Sequence, residues 1–118
     1  MHNMDDLKVM IVEGSSDKKK VKKILKEEVD ILCTNGTISR DTLETFIDEL
    51  YGRDIYIFVD SDASGERLRK LLRREMPEAM HLYIDKAYKE VASAPDHHIA
   101  SVLVGVDFAI DPKYLNKG

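Results

Sequence analysis

The sequence predicts an α/β domain built as a mainly parallel sheet of about four to five strands with helices on both faces. Three observations predict it. Short apolar runs alternate along the chain with amphipathic stretches at helical spacing, which is the pattern of strand–helix–strand units. Ile55-Tyr56-Ile57-Phe58-Val59 is β-branched, aromatic and uninterrupted, as suits a strand covered on both sides. The 118 residues, 43% of them apolar, are enough for one compact domain and too few for two.

Taken in order, Val9-Met10-Ile11-Val12 is the first strand. Ser15-Ser16-Asp17 offers helix caps, and a first helix runs to about Glu28 with Val21, Ile24 and Leu25 at helical spacing. A second strand covers Asp30 to Thr34, and Asn35-Gly36 is a turn signal. A second helix from Arg40 to Leu50 points Leu43, Phe46, Ile47 and Leu50 inward, and Gly52 ends it. After the Ile55–Val59 strand, a third helix follows Gly65 with Leu68, Leu71, Leu72 and Met76 inward, ending at Pro77. Met80 to Ile84 is a fourth strand, Pro95 opens a last helix over Asp96 to Val104, and Val106 to Ile110 is a short edge strand. No repeat, low-complexity segment or linker interrupts the pattern, so residues 1–118 read as one domain.

Composition narrows the function. The net charge is −4 with 34% charged residues, which argues against coating nucleic acid or an anionic membrane with the whole surface. No apolar run approaches the roughly 20 residues a bilayer requires. The acidic start, Met1 to Asp6, leads into no signal-peptide core. A cytoplasmic protein is expected. The single cysteine, Cys33, lies in an apolar run and reads as a small strand residue.

Parallel sheets bind ligands beyond the carboxyl ends of their strands. There stand Glu13, then Asn35 and Gly36, then Asp60-Ser61-Asp62, then Asp85 and Lys86. Three carboxylates converging on one edge repel unless a cation or a proton neutralises them. Mg²⁺, with Mn²⁺ as a substitute, suits such a site because it takes oxygen ligands and keeps several waters.

These residues also form a pattern. Val12-Glu13-Gly14 after the first strand, with Asp60-Ser61-Asp62-Ala63-Ser64-Gly65 after the third, resembles the signature of the Toprim family, whose domain occurs in primases, topoisomerases and nucleases. Within it the chain is most similar to the ribonuclease that matures 5S ribosomal RNA. Glu13-Gly14 with Asp17, Thr34-Asn35-Gly36, and Asp60 through Gly65-Glu66-Arg67 all match its pieces in order. The similarity covers about residues 8–86, leaving a C-terminal helix and short extension over 87–118. It implies a three-layer Rossmann-like Toprim fold. It implies Glu13 as general acid/base, and Asp60 and Asp62 with Glu13 as metal ligands. Asn35 and Gly36 would line the site, and Gly65 would admit a phosphate at a helix N-terminus. Ser64 stands where some members carry a third acid, which argues against a second metal. None of the five tyrosines fits the nucleophile that topoisomerases carry outside this domain. Tyr56 and Tyr83 read as strand packing residues.

Eleven of the eighteen basic residues crowd the first and third helices: Lys18, Lys19, Lys20, Lys22, Lys23 and Lys26, then Arg67, Arg69, Lys70, Arg73 and Arg74. Such a field would steer a polyanion towards the site, with Lys18, Arg67 and Lys86 as phosphate contacts. The bland alternative is a pair of solvated helix faces. No aromatic platform accompanies the lysines. Neighbouring His97 and His98 cannot face one ion from a helix and read as surface or capping groups.

The expectation is a Mg²⁺-dependent nuclease or related phosphotransferase acting on nucleic acid, with a homodimer or protein partner completing substrate binding. Its rivals are a non-catalytic Toprim module that binds metal and a nucleic acid or protein, and a receiver-like phosphoacceptor domain with Asp60 as acceptor.

Overall fold

The computed structural model describes residues 7–36 and 38–116, and the acidic Met1–Asp6 segment lies outside the described residues. The element order is β1 (Lys8–Val12), α1 (Ser15–Ile24), β2 (Val29–Cys33), α2 (Arg40–Glu49), β3 (Ile55–Phe58), α3 (Ala63–Glu75), β4 (Met80–Leu82) and α4 (Asp96–Gly105), followed by a 3-10 turn at Pro112–Leu115. The four strands form one parallel sheet in the order β2-β1-β3-β4. No described helix is long and apolar enough to cross a membrane.

The topology follows from handedness. From β1 the chain steps one way to β2, then back past β1 to β3 and on to β4. Right-handed crossovers therefore place α1 on one face and α2 and α3 on the other. Two cores confirm the layers. Met10, Val12, Phe58 and Leu82 pack with Val21 and Ile24 of α1 and Ile99 and Leu103 of α4. Val9, Ile11 and Ile57 pack with Leu43 of α2 and Leu68 and Leu72 of α3. Successive strand residues point to opposite faces, and both faces are covered, so β1 is buried without alternation from Val9 to Val12. Each fully buried side chain of this size contributes about 1.5–3 kcal/mol relative to exposure.

The fourth strand ends at Leu82, short of the expected Ile84, and three further boundaries differ from the sequence expectation. The first helix stops at Ile24, not near Glu28, because the backbone beyond it is claimed elsewhere. Leu25 bridges Ile110, the Lys26 amide donates to the Ala109 carbonyl, and the Asp111 amide donates to that of Ile24. The Val106–Ile110 segment is accordingly no edge strand of the sheet; only Ile110 forms an isolated bridge. The third helix starts at Ala63, so Gly65 lies inside its first turn rather than before it.

The reversal of direction at β1 makes the crevice between β1 and β3 the switch point of the sheet, where α/β folds bind ligands. Glu13 leaves one side of it and Asp60 the other.

Candidate metal centre

Glu13, Asp60 and Asp62 are brought together: each offers a carboxylate oxygen, and the three lie within 4.8 Å of one another. The backbone fixes one oxygen of each acid. The Asp60 amide donates to Glu13 Oε1 at 2.8 Å, which ties the end of β3 to the end of β1. The Val91 amide donates to Asp60 Oδ1 at 2.8 Å. The Gly65 amide donates to Asp62 Oδ1 at 2.7 Å, making Asp62 the N-cap of α3. These bonds orient the three carboxylates, each of which presents an oxygen to the cluster.

The electrostatics fit a cation. Burial, reinforced by the Asp62 and Asp17 carboxylates, raises the Glu13 pKa against the lowering effect of the Asp60 amide. Burial raises Asp60 to about 6, with Glu13, Asp17 and Asp62 adding repulsion. Two carboxyl groups thus retain protons more tightly than free acids, as crowding in a partly desolvated place requires. A divalent ion taking oxygen ligands relieves the same repulsion. The donor set is all carboxylate, without His or Cys, as Mg²⁺ or Mn²⁺ prefers.

Gly65 owes its place to the chain itself. A Cβ there would lie 2.0 Å from the Asp60 carbonyl oxygen and 3.0 Å from Glu13 Oε1. Its missing side chain lets α3 start directly against the metal edge. Of the other expected residues, Gly36 and Arg67 line a cavity of about 190 Å³ together with Glu13 and Ser64. Asn35 adopts a positive φ of 57°, and its amide donates to the Glu13 carbonyl. The Gly14 amide donates to Asp17 Oδ2, and Asp17 is buried, only 7% exposed. Lys18 and Lys86 join neither the cavity wall nor the hydrogen bonds of the acidic cluster.

The basic helices divide. On α1, Lys20 and Lys23 pair with Asp96. On α3, Arg69 is no surface cation: it is 2% exposed and donates to the carbonyls of Val59 and Leu82, with His81 Nδ1 at 3.0 Å. It anchors the residue before Asp60. Its position next to inward Leu68 was the available signal. In the loop after β4 the sequence points to Asp85 and Lys86 but not to Val91 and Lys89, which hold the site. Val91 holds Asp60, and the Ser61 amide donates to the carbonyl of Lys89, a non-glycine residue at φ 62°. No sequence pattern marks such a residue. Tyr83 is another correction: it lies beyond β4 and is 53% exposed, so it is not a strand packing residue. His98 does act locally, its Nε2 accepting from the Asp85 amide.

Comparison with known proteins agrees with this geometry. Residues 8–92 match the Toprim domain. The Bacillus subtilis (strain 168) protein YusF, itself uncharacterized, is 57% identical over 97% of this chain and 79% of its own length. Ribonuclease M5 1 of Ligilactobacillus salivarius (strain CECT 5713) is 34% identical over 82% of this chain. Ribonuclease M5 of Staphylococcus aureus is 31% identical over 65% of it. The chain spans about half the length of these ribonucleases, 50% and 43% respectively. The structure of a small TOPRIM domain protein from Bacillus stearothermophilus superimposes with a TM-score of 0.92 at 53% identity, covering 96% of each chain.

Proposed function

The chain belongs to the Toprim family, and on that premise we propose that it is a divalent-metal-dependent nuclease acting on RNA. The observation that carries the reading is the cluster of Glu13, Asp60 and Asp62 at the β1/β3 switch point, each acid oriented by a backbone amide. Similarity to proteins named ribonuclease M5 supports RNA over DNA.

Asp60, Asp62 and Glu13 would hold Mg²⁺ or Mn²⁺. The ion, when bound, supplies positive charge that stabilises a phosphodiester under attack. Glu13 can manage the proton. Its Oε1 is engaged by the Asp60 amide, its pKa is raised, and the residue lines the cavity, where its carboxyl group would accept or return a proton. Arg67, exposed on the same cavity, would meet a phosphate of the substrate. Gly36 lines the same cavity, and Asn35 before it holds the Glu13 carbonyl through its amide.

The test is a Mg²⁺ titration followed by NMR, paired with cleavage of end-labelled structured RNA. Shifts centred on Glu13, Asp60 and Asp62, lost together with cleavage in the D60N/D62N double variant, are expected. Absence of Mg²⁺-dependent shifts at millimolar concentration rejects the metal-enzyme reading.

The chain's half-length match to the ribonucleases favours one second reading: a Toprim module that binds metal and RNA but needs a homodimer or protein partner for cleavage. Mg²⁺ binding without hydrolysis of any RNA would select it. The receiver-like alternative accounts for neither Asp62 nor Asn35-Gly36, and family membership accounts for both.

A further inference from the structure

Tyr83 is the one aromatic side chain at the carboxyl edge that is both exposed and held rigidly among the described residues. Leu82 pairs with Phe58, so in the same register Tyr83 stands beside Val59, the residue before Asp60. Adjacent strands lie roughly 4.8 Å apart, which puts Tyr83 one strand over from the acidic cluster on the same edge. Its side chain turns to the α3 face, opposite to that of Leu82.

Three contacts lock the ring. The Arg69 guanidinium lies 4.1 Å from the ring centroid on its inner side. Arg73 donates to the phenol oxygen at 3.1 Å. The His81 ring lies alongside at 6.4 Å and 30°. The ring is nonetheless 53% exposed. Arg73, which bonds the phenol, is itself exposed, as are Lys70 and Arg74 elsewhere on α3. A half-exposed ring with one guanidinium against it and a second on its hydroxyl is an arrangement on which single-stranded bases can stack.

We propose that Tyr83, backed by Arg69 and Arg73, is a stacking platform for an unpaired base of the RNA. The strand then runs from Tyr83 across the ends of β4 and β3 to the acidic cluster. This rests on the RNA reading above and adds to it a single-stranded requirement: a loop, bulge or end must reach the platform. The ring orientation is set before the strand arrives, so stacking costs little side-chain entropy.

The rival role for Tyr83 is a cover over buried Arg69. Leucine keeps an apolar cover but offers no flat face, so Tyr83→Leu separates the two. The probe is a short single-stranded RNA carrying 2-aminopurine, titrated with Ca²⁺ in place of Mg²⁺ and read by fluorescence. Wild type and Tyr83→Phe are expected to bind alike and quench the base, and Tyr83→Leu to bind about tenfold more weakly. Equal affinity and quenching by Tyr83→Leu overturn the platform. A second readout needs no variant: the Tyr83 ring protons of the wild type shift upfield when RNA is added, and unshifted ring protons at saturation also overturn it. Loss of cleavage or of Mg²⁺ binding with Tyr83-dependent RNA binding intact removes the nuclease reading and leaves the platform standing.

Discussion

The helices α1 and α3 begin alike and end up doing different things. Each follows an acid just beyond a strand's end, Glu13 or Asp60, and each opens with an aspartate and a glycine three residues apart. In α1 the glycine is the cap and Asp17 is the third helical residue, with the Gly14 amide donating back to it. In α3 the order is reversed: Asp62 is the cap and Gly65 the third residue, its amide donating to Asp62. The same hydrogen bond across a mirrored pair leaves Asp17 buried as scaffold and Asp62 exposed at the metal edge. Residue types at fixed spacing specify the cap; their order along the chain specifies which acid faces a ligand.

The largest test of this comparison is alanine at the two glycines. At Gly65 a Cβ meets the Asp60 carbonyl at 2.0 Å, whereas at Gly14 the nearest atom is Asp17 Oδ2 at 3.8 Å. Gly65→Ala is expected to cost about 3 kcal/mol and to remove Mg²⁺ binding. Gly14, at φ −145°, accepts alanine with a change within about 0.5 kcal/mol. Equal urea midpoints for the two variants would break the contrast.

Next in size is the division between the basic residues. Arg69→Met leaves the Val59 and Leu82 carbonyls without their buried donor, at a cost of about 3 kcal/mol. Lys23→Met, which removes a partly exposed pair with Asp96, costs less than about 1 kcal/mol. Thermal melts of both variants check this, and a reversed order would mean that α1 rather than α3 is the structural helix.

The smallest effect concerns the charge of the cluster. Asp60 titrates near 6 in the fold against an ordinary 3.8, so the native state holds its proton more tightly than the unfolded chain. That contribution is fully present below 3.8 and is lost as pH rises through about 6. Without divalent cation, Asp60→Asn is therefore expected to melt above wild type at pH 8, with the gap narrowing by pH 5. Mg²⁺ should raise the melting temperature of wild type more at pH 8 than at pH 5, and should leave Asp60→Asn unmoved. A melting temperature insensitive to Mg²⁺ at pH 8 contradicts a cation site on this triad.

Much of this was legible beforehand, and for a physical reason. Strand and helix periodicity are local, so β1, β3 and the inward faces of α2 and α3 could be read from Val9–Val12, Ile55–Phe58, Leu43, Leu68 and Leu72. Strand ends are also local, and the rule that parallel sheets bind ligands at their carboxyl edge brings Glu13, Asp60 and Asp62 together from the sequence alone. What the tertiary structure alone decided were relations between distant segments. The first helix stops at Ile24 because residues 109–111, some 85 positions later, take its backbone groups. Asp60 is oriented by an amide at Val91. Arg69, one basic residue among five on its helix, is buried because two strand ends turn their carbonyls towards it. A side chain's charge is written in the sequence, but whether it meets water or a carbonyl depends on which segments fold over it.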